Sequence, residues 1–167
     1  MFSLRNVKLG KEACLLLNEL FSKGRTIDLR IENCEVKSES LLTLLKGIEK
    51  GAFKINKLAL SGFTLDKEHI QSIQNIVEEA AMLFSLDLSW LKTKPATFLP
   101  ILESVCEKIP SLVDLDLSWT KLASQSNDAH NDRVLELLSG FIKRNTKLNH
   151  LELTQCDLSS SILEGMI

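Results

Sequence analysis

Tyrosine is absent from this 167-residue chain, tryptophan occurs twice and proline three times, and neither sign of charge dominates. Twenty Lys and Arg against 22 Asp and Glu leave a formal charge of -2, so the chain has no cationic excess for nucleic acid or an anionic membrane. Any charged surface has to be a local patch. No apolar run reaches the roughly 18 to 20 residues that span a bilayer, and the opening MFSLRNVKLGKEACLLL lacks the basic start and small-residue cleavage site of a signal peptide. No Asn is followed two positions later by Ser or Thr. The four cysteines, Cys14, Cys34, Cys106 and Cys156, form no C-x-x-C pair and have no His at zinc-ligand spacing, so buried, reduced thiols and no metal are expected. These absences together point to a soluble, cytoplasmic chain. The seven glycines are scattered and form neither a G-x-G-x-x-G turn nor a phosphate loop, and no cofactor or small-molecule substrate is implied.

What the chain does have is a period. INKLALSGFTL (55 to 65), LVDLDLSWTKL (112 to 122) and LNHLELTQCDL (148 to 158) superimpose as L-x-x-L-x-L-x-x-x-x-L. TIDLRIENCEV (26 to 36) and LFSLDLSWLKT (83 to 93) follow with one or two lapses, and the opening FSLRNVKL adds a truncated sixth copy. Anchored on the second strand leucine, the copies sit at Leu4, Ile31, Leu60, Leu88, Leu117 and Leu153, with spacings of 27, 29, 28, 29 and 36. A fixed period in this range is the mark of a solenoid. Between the strand motifs the apolar residues step by three and four: Leu41, Leu44, Leu45 and Ile48; Ile70, Ile73, Val77 and Ala80; Phe98, Ile101, Leu102, Val105 and Ile109; Leu135, Leu138, Phe141 and Ile142. Helices are expected near 11 to 23, 38 to 50, 67 to 81, 97 to 109 and 131 to 144. Ser38 and Asp66 are candidate N-caps, Gly24 and Gly51 candidate helix ends, and Pro110 a stop. Pro100 fits only a first turn, which leaves the start of the fourth helix open.

A strand and a helix every 28 or 29 residues resembles the ribonuclease-inhibitor-like class of leucine-rich repeats, over the whole chain. That class also builds the Ran GTPase-activating protein, tropomodulin's C-terminal domain and the sensor end of nucleotide-binding innate-immune receptors. The resemblance implies an α/β fold: a right-handed solenoid of about six repeats bent into a horseshoe arc, with a parallel sheet on the concave face and helices on the convex face. The class usually carries Asn or Cys at the ninth motif position. Here that position holds Val7, Cys34, Phe63, Leu91, Thr120 and Cys156, so the polar ladder is half replaced by apolar packing. One leucine-rich-repeat domain over 1–167 is expected, interrupted by a polar surface loop at 124–132. The chain begins inside a strand motif and ends at Met166 and Ile167 inside a helix started by Ser159, Ser160 and Ser161, without polar capping repeats. That pattern is expected of a piece of a longer solenoid, or of one whose ends a partner covers.

No catalytic set emerges. His69, beside Ile70, is expected to face solvent, His130 to belong to the loop, and the motif around the Ran activator's arginine is not matched. What remains is the concave face, where motif positions three, five and seven alternate outward. The early repeats are amphoteric, while Asp87, Asp114, Asp116 and Glu152 form an acidic stripe with no basic neighbour on the strands. Two readings of the stripe stand at this point: a solvated face, or a patch for a partner protein with a basic segment. Trp90 and Trp119 share motif position eight in adjacent repeats, so their indoles are expected to be neighbours. They either cover the turn by packing on Leu91 and Leu122 or form an exposed hot spot with Asp87, Asp114 and Asp116. The expected function is a non-catalytic protein–protein interaction or regulatory module. The alternatives are a structural subunit of a large cytoskeletal, ciliary or organellar assembly, and a fragment of a GTPase regulator or innate-immune sensor.

Overall fold

The strand leucines and the helix stripes are each too small a surface to form a core alone, and stacking the repeats joins them. In the computed structural model, which describes residues 1–160 and Glu164, six strands make one parallel sheet: β1 (Phe2–Arg5), β3 (Asp28–Glu32), β5 (Lys57–Ser61), β6 (Ser85–Asp87), β7 (Asp114–Asp116) and β8 (His150–Glu152), in that order. Consecutive motifs pair in constant register, as in Leu29–Leu58, Leu58–Leu86, Leu86–Leu115 and Leu115–Leu151. Two shorter strands, β2 (Lys8–Leu9) and β4 (Glu35–Val36), pair in parallel just past the sheet, and a Thr64–Lys92 bridge follows in the next repeats.

The helices that return the chain between strands are α1 (Lys11–Ser22), α2 (Ser38–Gly51), α3 (Lys67–Glu79), α4 (Pro95–Lys108) and α5 (Asp128–Arg144). Their inward stripes close on the strand leucines. Leu44, Ile48, Ile73, Ile76, Phe98, Ile101, Val134 and Leu138 are buried together with Leu29, Ile31, Leu58, Leu86, Leu88, Leu115 and Leu117. Each such side chain contributes on the order of 2 kcal/mol by burial. Among the described residues no helix is long and apolar enough to cross a membrane.

Several expectations are corrected by tertiary contacts. Ser38 is the first helical residue, not the cap; its hydroxyl donates to Asp66 Oδ2 (3.2 Å) in the next repeat. Asp66 does cap α3, accepting from the backbone N–H groups of Glu68 (3.0 Å) and His69 (3.2 Å). Gly24 ends α1 with φ +58 and Gly51 is the last residue of α2, as expected; Gly51 also permits close approach, since a Cβ on it would clash with the Phe21 carbonyl of α1. Pro95 opens α4, which places Pro100 inside the helix, beyond its first turn. The polar insertion is shorter than expected, because Asn127 caps α5 and the helix absorbs 128–132. Starting there, α5 buries Val134, Leu137, Leu138 and Phe141 and leaves Leu135 and Ile142 half-buried. The expected chain end at Met166 and Ile167, with Ser161 of the serine run, lies outside the described residues.

Candidate functional site

Beyond the second leucine of each motif the chain must leave the strand and turn outward. The turn uses a left-handed residue at the same place in all six repeats: Asn6 (φ 53), Asn33 (φ 51), Gly62 (φ 81), Trp90 (φ 58), Trp119 (φ 62) and Gln155 (φ 57). The backbones of the first five continue the sheet's ladder, because the N–H of each donates to the preceding motif position of the next repeat. The bonds run from Asn6 to the Glu32 carbonyl (3.1 Å), Asn33 to Ser61 (2.9 Å), Gly62 to Ser89 (3.2 Å), Trp90 to Ser118 (2.8 Å) and Trp119 to Thr154 (2.8 Å). The side chains are therefore held in a row about one strand spacing, roughly 4.8 Å, apart.

Asn and Gly are the usual occupants of this conformation, which costs a bulky residue on the order of 1 to 2 kcal/mol. Two tryptophans adopt it side by side. Their rings lie 4.4 Å apart between centroids and 9° from parallel, with Trp90 52% and Trp119 45% exposed. Leu91 and Leu122 are buried. Trp90, Trp119 and the position-five acids thus sit close along the sheet, since Asp87, Asp116 and Glu152 occupy adjacent strands in register.

The acids are not interchangeable. Asp87 Oδ1 accepts from Ser89 N–H (2.9 Å) and Asp116 Oδ1 from Ser118 N–H (2.8 Å), so each carboxylate also fixes the turn that presents the following tryptophan. This coupling was missed in the sequence, although the duplicated Leu-Asp-Leu-Ser-Trp at 86–90 and 115–119 carries its signal. Asp114 projects from the same strand as Asp116, in the row shared with Ser85 and His150. Glu152 accepts from the Thr154 hydroxyl and has His150 Nε2 3.8 Å away, so the stripe does have a histidine at its far end. Among the described residues, Asp87, Asp114 and Asp116 have no ion-pair partner.

The other chemical candidates resolve into structure. His69 is buried, not exposed: Nε2 donates to the Ser38 carbonyl (2.9 Å), while Nδ1 lies 2.7 Å from Asp66 Oδ1 and 3.3 Å from the Asp66 backbone nitrogen. His130 sits in α5, not in a loop, and is also buried, with Nε2 donating to the Leu122 carbonyl (2.8 Å). Both occupy the third position of a helix and tie its start to a neighbouring carbonyl. At motif position nine, the Thr120 hydroxyl donates to the Leu88 carbonyl (2.8 Å) and accepts from the Leu91 N–H (3.0 Å). Cys34 and Cys156 occupy the same place and reach strand carbonyls through sulfur. All four cysteines are free and buried. Burial pushes the Cys106 thiol up to about 12 and the Cys156 thiol up to about 11, which suppresses the thiolate a nucleophile needs. Among the described residues, no cluster of three or more His, Cys, Asp or Glu is placed to hold a metal ion.

Neither a protein-family model nor a curated protein matches the chain. Its fold is similar to that of the tropomodulin C-terminal domain of Caenorhabditis elegans, with a TM-score of 0.65 and 14% identity, over 95% of this chain and 89% of that one. At that identity the likeness is one of fold, and it agrees with the repeat, the register and the helices in making this chain a leucine-rich-repeat-type solenoid.

Proposed function

We propose that the chain is a non-catalytic protein-interaction module of the cytoplasm, and that it binds a partner's basic segment on the concave sheet between β6 and β8. The single observation that carries this reading is the stacked, half-exposed pair Trp90–Trp119, held in a costly backbone conformation beside the uncompensated acids Asp87, Asp114 and Asp116. Exposed aromatic surface next to unpaired charge is the composition of an interface hot spot. Glu152 extends the acidic row by one strand. The repeats belong, on this reading, to the ribonuclease-inhibitor-like class, and no nucleic acid, membrane, metal or cofactor enters the function.

Affinity purification with wild-type protein and with the double variant Asp114→Lys, Asp116→Lys tests the proposal. The expected result is a partner that is retained by the wild type, released by moderate salt and lost from the variant. An identical retained set for both proteins overturns it. A second reading, a structural subunit fixed inside a larger assembly, draws on a different surface: α1 exposes Leu15, Leu16 and Leu20, with Ile27 exposed after it. On that reading a partner survives charge reversal of the concave face and is lost from Leu16→Glu.

A further inference from the structure

The row of left-handed residues contains one rung without a side chain. Asn33 Nδ2 donates to Asn6 Oδ1 (2.7 Å), so the first two rungs are joined to each other. Trp90 and Trp119 are joined by stacking. Between the two pairs stands Gly62, and the result is an open notch of about 360 Å³ lined by Asn33, Ser61, Gly62, Trp90 and Lys92. Asn33 and Trp90 are separated along the row by two strand spacings, roughly 9.6 Å, which leaves the thickness of one flat group at the Gly62 rung. One face of the Trp90 indole is covered by Trp119, and Trp90 also lines this gap.

We propose that the notch receives a single aromatic side chain from the partner polypeptide, stacked on the free face of Trp90 as a third ring in line with Trp90 and Trp119. The spacing of the row sets the ring-to-ring distance, as it does for the pair already present. Lys92, exposed and without an ion-pair partner among the described residues, borders the notch, where its ammonium favours the face of an incoming ring and disfavours an arginine or lysine. Basic residues of the same segment lie instead over Asp87, Asp114 and Asp116. The inference rests on the concave-face reading above and specifies its ligand: a basic segment with one aromatic residue.

Two capped tripeptides, lysine–tyrosine–lysine and lysine–leucine–lysine, separate the two ideas when titrated against the protein while the Gly62 amide and both indole N–H signals are followed by NMR. Binding of the tyrosine peptide roughly 2- to 10-fold tighter than the leucine peptide is expected, the range that an aromatic pair contributes. Gly62 and Trp90 should shift more than Trp119. The preference should vanish in Gly62→Asn, whose side chain fills the rung. Because a Cβ at position 62 lies 3.0 Å from Asn33 Cα, Lys92→Gln serves as a second variant that leaves the backbone alone and should reduce the preference. Equal binding of both peptides, abolished by Asp114→Lys, overturns the aromatic notch and leaves the acidic surface standing. Failure of both peptides to bind overturns both readings. Adenosine monophosphate shifting Gly62 and Trp90 more strongly than the tyrosine peptide also overturns the proposal, by making the notch a platform for a nucleic-acid base.

Discussion

Across the first two repeats opposite charges answer one another. Arg5 pairs with Glu32 on the next strand, Arg30 lies 3.6 Å from the same carboxylate, and Lys8 meets Glu35 at 2.9 Å between β2 and β4. From β6 to β8 the same register brings Asp87, Asp116 and Glu152 into a row, and like charges on adjacent strands repel. The left-handed row divides at the same place, into asparagines suited to the conformation and tryptophans that are not. One half of the surface satisfies itself; the other keeps unfavourable charge and backbone where a partner could compensate both. A protein departs from its own local rules chiefly at functional sites, and here the departures coincide on two neighbouring repeats.

Motif position nine offers the largest expected contrast between the halves. Thr120→Val removes the hydroxyl that reaches both the Leu88 carbonyl and the Leu91 N–H and should cost roughly 2 kcal/mol in urea unfolding. Cys34→Val, at the equivalent place in the second repeat, loses sulfur contacts of 3.5 and 3.8 Å and should cost below about 1 kcal/mol. Equal losses would mean that the hydroxyl in the later repeats holds the turn no better than sulfur does.

Charge gives a smaller contrast, of opposite sign in the two halves. Asp116→Asn keeps an oxygen for the Ser118 N–H while relieving repulsion from Asp87 and Glu152, so stability should rise by a few tenths of a kcal/mol at low salt and the gain should fade in high salt. Glu32→Gln, which breaks ion pairs with the solvent-exposed Arg5 and with Arg30, should lower it by a similar amount. A loss in both variants would show that Asp116 is held by favourable contacts and that the stripe is no reservoir of unfavourable charge.

The strand motifs and helix stripes were legible in the sequence because both depend on local period, and the concave row followed from alternation alone. The roles of His69 and His130 were not, since each is fixed by a carbonyl that only folding brings near: Ser38 from the preceding repeat and Leu122 from across the turn. The shared motif position of Trp90 and Trp119 correctly implied neighbouring rings, yet their stacking depends on a backbone conformation that no side-chain pattern for tryptophan announces. The notch at Gly62 could have been read by aligning position eight, where Asn6, Asn33 and Gly62 are all residue types that favour a left-handed turn. What hid it was the strength of the leucine pattern two residues earlier.

The central claim, that the tryptophan pair is kept for binding and not for the core, is tested most directly by the melting temperatures of Trp90→Ala and Trp119→Ala beside that of Leu88→Ala. Loss of a half-exposed stacked ring is worth about 0.5 to 1.5 kcal/mol, a fall of about 1 to 6 °C for a chain of this size, with an unchanged circular dichroism spectrum. Leu88, fully buried, should cost roughly 3 kcal/mol and about 6 to 12 °C. Small losses for both tryptophan variants, with retention of the partner weakened about tenfold or more, are the predicted result. Melting as early as Leu88→Ala would contradict the account, because the indoles would then be covering the turn over Leu91 and Leu122.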